Sequence, residues 1–237
     1  MPHVPAALDL AFITLCLAVA ALVPSAVAHA LPAGTPRRGP CLRAGLAVAL
    51  FLAVPALVAA GGLLAFGTTP PRLPLLLLLL TAVTCAAVAS RHGARLTAGL
   101  SMAALVGFQV FRVPVELLLH RLYLADALPV QMTFAGYNFD ILTGLSALPV
   151  AWLYAGGRIS DTALWVWNTL CLGLLVTVVA IAVLSMPLPI RQFAQGPALT
   201  LPTTFPYIWL PGVLVQAALA GHLLLYRKLR AARASDS

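Results

Sequence analysis

Five polar or ionisable side chains recur at helical spacing in the middle of the chain, within a segment that is otherwise apolar. They are Gln109, Arg112, Glu116, His120 and Tyr123. At 100° per residue all five fall within an arc of about 80° on one face of a helix. A guanidinium beside a carboxylic acid and an imidazole can bind an anionic group and carry protons, which is the chemistry that this row predicts.

The position of this row in an apolar segment makes its charges costly. A charge at the centre of a bilayer costs about 2.5–3.5 kcal/mol even on mild insertion scales. Arg112 and Glu116 are four residues apart, so we expect them to pair and offset much of this cost. Pro114 lies between them, frees the carbonyl of Val110 and predicts a kink, beside which a cavity would form. The alternative is a buried ion pair that only fixes helix packing.

Further polar residues lie in the apolar segments that follow. Asn138 and Asp140 open the next segment, and we count both among the candidate ligand-binding or proton-carrying residues. The alternative for Asp140 is an acid that caps a helix N-terminus. Asn168 and His222 are assigned to the inner half of the membrane, as packing or snorkelling groups.

The composition indicates which elements hold these side chains. Hydrophobic types make up 62% of the 237 residues and charged types only 8%. A soluble domain carries about 25% charged residues, and a disordered chain is polar, so the composition excludes both classes. The sequence therefore predicts an all-α protein that crosses a membrane several times.

Seven apolar segments, separated by turns rich in Pro and Gly, predict a bundle of seven transmembrane helices. The first ends in Ala28-His29-Ala30, which is typical of a signal-peptide cleavage site, but it lacks a basic start, so we expect it to be retained as a helix. A basic cytoplasmic tail at 227–237 follows the last helix. The predicted helices cover residues 6–29, 42–66, 73–90, 96–124, 139–154, 163–184 and 207–226.

The basic residues indicate the orientation of the chain in the membrane. With the C-terminus in the cytoplasm, ten of the 14 Lys and Arg residues fall on the cytoplasmic side and three outside, while Arg112 lies within the membrane. An odd number of spans then places the N-terminus outside. Because the basic residues are scattered over several loops, without interleaved aromatics, we expect contact with membrane lipids and not with nucleic acid.

The sequence predicts no cofactor and no metal ion. The four cysteines form no C-x-x-C pair. Glu116, His120 and Asp140 would supply only three ligands of mixed type, and a Ser146–His120–Asp140 triad rests on depth alone. His120 and His222 are predicted to differ in depth by about 24 Å, which excludes a shared ion.

Several short motifs are spaced over the second half of the chain. They are Phe111-Arg-Val-Pro-Val-Glu116, Gln131-Met-Thr-Phe, Asn138-Phe-Asp-Ile141 with Gly144, Asn168, Ser185-Met-Pro187 and Phe205-Pro-Tyr-Ile-Trp-Leu-Pro211. Over roughly residues 105–226 this pattern resembles a bacterial family of uncharacterised multi-pass membrane proteins. The resemblance implies a topology in the bacterial inner membrane and a candidate site, and it implies no particular reaction.

These observations favour a binding function over catalysis. We expect a small polar or amphiphilic ligand in an intramembrane pocket that opens toward the outer face. Arg112 would meet an anionic group of the ligand, and Glu116 or His120 would carry protons. The alternatives are a membrane-embedded enzyme acting on a lipid or isoprenoid, and a structural subunit of a membrane complex. The sequence nominates no catalytic residue.

Overall fold

The structure, a computed structural model, describes residues 4–194 and 196–235 and shows only helices and loops in that part of the chain, without a β-strand. Six helical segments are long and apolar enough to cross a membrane. A seventh apolar helix is shorter. The helices are α1 (Ala6–Ala30), α2 (Arg38–Ala60), α3 (Arg72–Ala89), α4 (Arg91–Gly99), α5 (Met102–Gly107), α6 (Arg112–Leu124), α7 (Ile141–Ala155), α8 (Asp161–Ser185) and α9 (Val215–Ser235).

Large apolar side chains cover the outside of the bundle. Leu46, Leu57, Leu78, Trp152 and Leu170 are each more than 60% exposed. Contact with water would cost about 25 cal/mol for each Å² of such surface, whereas lipid chains accept it without cost. The structure is therefore consistent with a multi-pass membrane protein, as the composition predicted.

The predicted helix at 96–124 is divided into two elements. The first, α4, ends at Gly99, where an added Cβ would lie 2.3 Å from the Cα of Ala30 in α1. The chain then restarts with Ser101, whose Oγ accepts a hydrogen bond from the amide of Ala104 at 3.1 Å. This serine cap begins a separate span, Met102–Leu124, which comprises α5, a 3₁₀ turn and α6.

The span Met102–Leu124 changes geometry immediately before Arg112. Residues Phe108–Phe111 form a 3₁₀ turn, and Pro114 has no amide hydrogen to donate to the carbonyl of Val110. A 3₁₀ turn inside a long helix marks a local departure from regular hydrogen bonding. It places Arg112 next to the midpoint of the 23-residue span.

The helix predicted at 139–154 exists as α7 but crosses only part of the bundle. Its 15 residues correspond to about 22 Å. A Cβ on Gly144 would lie 2.7 Å from Cγ2 of Val113, and a Cβ on Gly107 would lie 3.9 Å from the Cβ of Ala151. Helix α7 is therefore antiparallel to the span Met102–Leu124; it begins level with the middle of this span and follows only the half that contains Gly107.

An irregular segment, residues 125–140, lies beside the other half of the span, beyond the start of α7. Its Gln131, Met132, Thr133 and Asn138 side chains are nevertheless buried. Thr133 accepts from the amide of Asn138 at 3.2 Å, and Asn138 Nδ2 donates to the carbonyl of Met132 at 3.1 Å. Irregular backbone at membrane depth is tolerated only where protein or a cavity surrounds it, and the buried side chains of this segment face the interior of the bundle, whereas Tyr137 and Phe139 are exposed.

The close contact at Gly144 gives a stability prediction. We expect Gly144→Ala to lower the free energy of unfolding by about 1–3 kcal/mol, because the added methyl group overlaps Val113. Gly173→Ala in α8 is the matched control: no atom lies within 4 Å of its added Cβ, and we expect a gain of up to about 1 kcal/mol. Thermal unfolding in detergent measures both. An equal gain for the two variants would contradict the close packing of α6 and α7.

The last two spans are longer than predicted. Helix α8 extends the predicted 163–184 by a few residues, and α9 continues through most of the predicted tail, to Ser235. Before α9 the chain forms a π-helical turn, Leu210–Leu214, which contains Pro211. Gln216 Nε2 donates to the carbonyl of Pro211 at 3.2 Å, and Gln216 Oε1 accepts from Thr84 Oγ1 at 3.0 Å. These bonds connect the turn to α3.

Candidate functional site

Arg112 forms a buried ion pair with Asp140, and not with Glu116 as the helical spacing predicted. Arg112 Nη1 lies 2.9 Å from Asp140 Oδ1, and the two side chains are 3% and 7% exposed. The prediction was wrong about the partner because α7 begins beside the start of α6 and presents Asp140 directly opposite Arg112. Thr143 Oγ1, one turn into α7, also approaches Asp140 Oδ1, at 3.4 Å.

Glu116 is held by an amide instead of a cation. Asn138 Nδ2 lies 2.9 Å from Oε1 and 2.7 Å from Oε2 of Glu116. Asn138 Oδ1 accepts from the backbone amide of Asp140 at 3.1 Å, so one side chain positions both acids. Glu116 is only 2% exposed, and within the described residues its carboxylate forms no ion pair.

His222 completes the other side of the cluster, contrary to its assignment to the inner half of the membrane. Its Nε2 lies 3.3 Å from Arg112 Nη1, and its Nδ1 lies 2.7 Å from Oδ1 of Asn168. Asn168 Nδ2 donates to the backbone carbonyl of His222 at 3.2 Å, which leaves Oδ1 as an acceptor. The hydrogen-bond network therefore assigns the ring hydrogen to Nδ1, and the lone pair of Nε2 faces the guanidinium.

The contact with Arg112 also corrects the predicted depth of His222. Arg112 is eight residues from His120, which corresponds to about 12 Å along a helix, so the predicted gap of 24 Å was too large. Sequence reasoning passed over Asn168 and His222 as site residues. The available signal was that a polar side chain in an apolar helix needs a buried partner. That partner depends on how α8 and α9 pack around α6.

The side chains of the predicted polar row differ in burial. Gln109 is 1% exposed and its Nε2 donates to the carbonyl of Ala218 at 3.2 Å, while its Oε1 has no partner among the described residues. His120 is half-buried and stacks on Phe134, with 4.6 Å between the ring centroids. Tyr123 is half-buried beside it. Gln109, like Arg112 and Glu116, is thus buried, whereas His120 and Tyr123 are half-buried and form no hydrogen bond with the polar cluster among the described residues.

A cavity of about 70 Å³ borders this cluster. Arg112, Glu116 and Asp140 are among the residues that line the cavity, and these three residues are at most 5% exposed. Most of the remaining lining is apolar and comes from α6, α8 and the π-helical turn. Leu77 of α3 and Val179 of α8, which are both half-buried, also line the cavity. It therefore extends from buried charges to side chains on the apolar surface of the bundle.

Arg112 keeps one unused donor beside this cavity. Its Nη2 is buried and has no hydrogen-bond partner in the part of the chain that the structure describes. Leaving such a donor unpaired costs about 1–3 kcal/mol, and more for a charged group. The arrangement can therefore donate a charge-assisted hydrogen bond to an acceptor that enters the cavity.

The loop before α9 forms side-chain hydrogen bonds with α1 and α2. Tyr207 Oη donates to Asp9 Oδ1 of α1 at 2.6 Å, and Trp209 Nε1 donates to the carbonyl of Leu52 in α2 at 2.9 Å. The pKa of Tyr207 is raised mainly by burial and, to a lesser extent, by the hydrogen bond to Asp9. The phenol therefore stays a donor at neutral pH and joins this loop to α1.

The side chains considered for other chemistries are separated or engaged elsewhere. Among residues 4–194 and 196–235, no three His, Cys, Asp or Glu side chains are grouped to hold a metal ion. Ser146 Oγ donates to the carbonyl of Leu142 at 2.7 Å and accepts from Trp167 Nε1 at 3.0 Å. The candidate triad with His120 and Asp140 is thus not formed by any hydrogen bond in the described chain.

Comparison of the chain with protein-family models, with curated proteins and with solved structures gave no match. The class of protein is therefore defined by the fold and the site alone. It is an all-helical protein with six segments able to cross a membrane and a buried polar cluster beside an apolar cavity.

Proposed function

We propose that the protein binds a single-chain amphiphile, whose anionic head group meets Arg112 and whose hydrocarbon chain occupies the apolar part of the cavity. The observation that carries this proposal is the buried, unpartnered Nη2 of Arg112 at one end of a cavity with mostly apolar lining. Carboxylate, phosphate and sulfonate oxygens are the acceptors that a guanidinium binds most strongly.

The apolar lining supports a hydrocarbon chain as the other part of the ligand. Leu175, Val178, Met186, Leu199 and Leu214 line the cavity beyond the charged residues. Transfer of a chain from water to such a site gains about 25 cal/mol per Å² of buried apolar surface. A small hydrophilic anion would forgo this gain, so an amphiphile fits both ends of the site.

The position of the opening supports entry from the lipid phase. The half-buried Leu77, Val179 and Val183 belong to two membrane-length helices, α3 and α8. The π-helical turn, Leu210–Leu214, lines the cavity between these helices, and π turns recur at functional sites. A lipid-like ligand can thus reach Arg112 without passing through water.

The topology proposed for this protein has seven crossings, with the N-terminus outside and the C-terminus in the cytoplasm. Helix α7 together with the buried segment 125–140 would form the additional crossing beside the six long spans. The excess of Lys and Arg on the cytoplasmic side supports the orientation. The sequence resemblance supports a bacterial inner membrane as the location.

The hydrogen bonds within the polar cluster favour a second candidate function, a purely structural role. Arg112, Asp140, Asn138 and Glu116 join α6 to the start of α7, and such a network can fix helix packing in a membrane-complex subunit. This role gives no reason for the free Nη2 of Arg112 or for a cavity at the cluster. Ligand binding accounts for both.

Photo-crosslinking tests the proposed function. Palmitic acid carrying a diazirine is added to the protein in liposomes, irradiated, and the modified residues are located by mass spectrometry. We expect modification within residues 175–186 and 210–218 that unlabelled palmitate removes and hexadecane does not. Modification confined to the exposed face of α2, where Leu50 and Leu57 lie, would show annular lipid alone and would contradict the proposal.

A further inference from the structure

The charges of the buried cluster do not balance within the chain. Arg112 and Asp140 neutralise each other at 2.9 Å. The carboxyl group of Glu116 borders the same cavity, and it is contacted only by the amide of Asn138 among the described hydrogen-bonding side chains. With Glu116 ionised, the three charged residues carry a net charge of −1. An anionic head group would raise this buried charge to −2, which is costly in a medium of low dielectric constant.

We propose that the anionic head group enters together with one proton, which binds to Glu116. This inference rests on the proposed function, because it concerns the same ligand and the same cavity. The proton comes from bulk solution and forms an O–H bond on the Glu116 carboxylate. No other covalent bond changes, and the net charge of cluster plus ligand stays at −1. Ligand binding and proton uptake are then one linked equilibrium.

The geometry around Glu116 would allow the added proton to form a hydrogen bond with the head group. Asn138 Nδ2 contacts both oxygens of Glu116. A protonated Glu116 keeps one oxygen as the acceptor for Asn138 and gains an O–H donor on the other. Within the described chain no further acceptor is bonded to this carboxyl group, while the cavity lies beside it. The head group would thus accept from two donors, Nη2 of Arg112 and the carboxyl group of Glu116.

Several other titratable groups near Glu116 are engaged by protein partners, whereas His120, one helical turn from Glu116, has a buried Nδ1 without a hydrogen-bond partner among the described residues. His222 uses Nδ1 for Asn168 and turns Nε2 toward Arg112, so a proton on Nε2 would place two donors opposite each other. Besides Arg112, the titratable groups on elements packed around Glu116 include His120 on α6, Asp140 before α7, Cys171 on α8, His222 on α9, and Asp9 and Cys16 on α1. Of these, Asp140 and Asp9 are paired with Arg112 and Tyr207.

Calorimetry on the unmodified protein in detergent tests the proton uptake directly. The probe is 1-octanesulfonate, whose charge does not change with pH, titrated in buffers of different ionisation enthalpy. At pH values above the range in which Glu116 titrates in the ligand-free protein, we expect one proton to be taken up per sulfonate bound. Above the pH range in which Glu116 titrates, the affinity should fall about tenfold per pH unit. Binding that takes up no proton from about pH 6 to about pH 9 would overturn the inference.

Two variants identify the group that takes up the proton. Glu116→Gln carries a permanent donor without a charge, so we expect it to bind 1-octanesulfonate at least as tightly as the unmodified protein, without proton uptake and independently of pH. Asp126→Asn is the matched control. It removes a carboxylate from an exposed loop position and should leave the proton uptake unchanged. Proton uptake that persists in Glu116→Gln would assign the proton to another group and overturn the inference.

Failure of this inference can be distinguished from failure of the proposed function. Tight binding of 1-octanesulfonate without proton uptake overturns the proton coupling and leaves the amphiphile site intact. Absence of binding at every pH, in the unmodified protein and in Glu116→Gln, overturns both. Equal binding of 1-octanol and 1-octanesulfonate would show that Arg112 does not meet the head group.

Discussion

Arg112→Gln is expected to lower the free energy of unfolding by about 3–5 kcal/mol, which is the cost of removing one partner of a buried ion pair. The reason is that Asp140 would remain as an uncompensated charge in a position that is 5% exposed. Adding Asp140→Asn should recover much of the loss. Adding Glu116→Gln instead should recover less, because Glu116 is held by Asn138 and not by Arg112.

Thermal unfolding in detergent measures these variants, and the yield of monodisperse protein ranks any that are too unstable to melt reversibly. Arg121→Gln is the matched control, since it removes an exposed cation from the same helix and should change stability by less than about 0.5 kcal/mol. Better rescue by Glu116→Gln than by Asp140→Asn would establish the ion pair that helical spacing predicted and contradict the observed one.

Ala182→Phe is expected to weaken the binding of palmitate by roughly 5- to 150-fold. Ala182 lines the cavity on α8. A phenyl ring at this position would fill part of the cavity of about 70 Å³ and exclude the ligand chain from it. Overlap of this kind costs about 1–3 kcal/mol, which corresponds to that range of affinities. Displacement of a fluorescent fatty acid from the purified protein measures the change.

Ala180→Phe is the control for a larger side chain on the same helix. Ala180 is exposed on the surface of the bundle, two residues from Ala182. Its phenyl ring would face the lipid, so we expect palmitate binding to be unchanged. Equal losses in both variants would indicate a general disturbance of α8, and unchanged binding in both would place the ligand outside this cavity.

The sequence determined the class of protein because this class depends on composition and segment length, which are sums over the residues of the chain. A composition with 62% hydrophobic residues and apolar segments near membrane length leads to helices that satisfy their own backbone hydrogen bonds in lipid. The 3.6-residue period likewise predicted that Gln109, Arg112 and Glu116 share a face, and all three are buried. These inferences concern single helices and need no knowledge of how helices meet.

The partners of the polar residues could not be predicted in the same way. The helical spacing predicted that Arg112 pairs with Glu116. In the structure Asp140 lies opposite Arg112, because α7 begins at the middle of the bundle. His222 was assigned to another depth, although its imidazole contacts Arg112. An ion pair forms between the groups that the packed helices bring together. A residue on the same helix face is only one of the partners with which a charged side chain can pair.

The sequence by itself therefore determined an apolar helical bundle with a costly polar row at its centre. Only the tertiary structure decided that Arg112 meets Asp140 and His222, that Asn138 holds Glu116, and that a cavity borders them. Asn138 lies 26 residues after Arg112 and Asn168 lies 30 residues after Asn138, yet the three residues meet in one cluster. The physical reason is that each buried polar group needs a partner, and the choice of partner follows from helix packing, which local sequence does not encode.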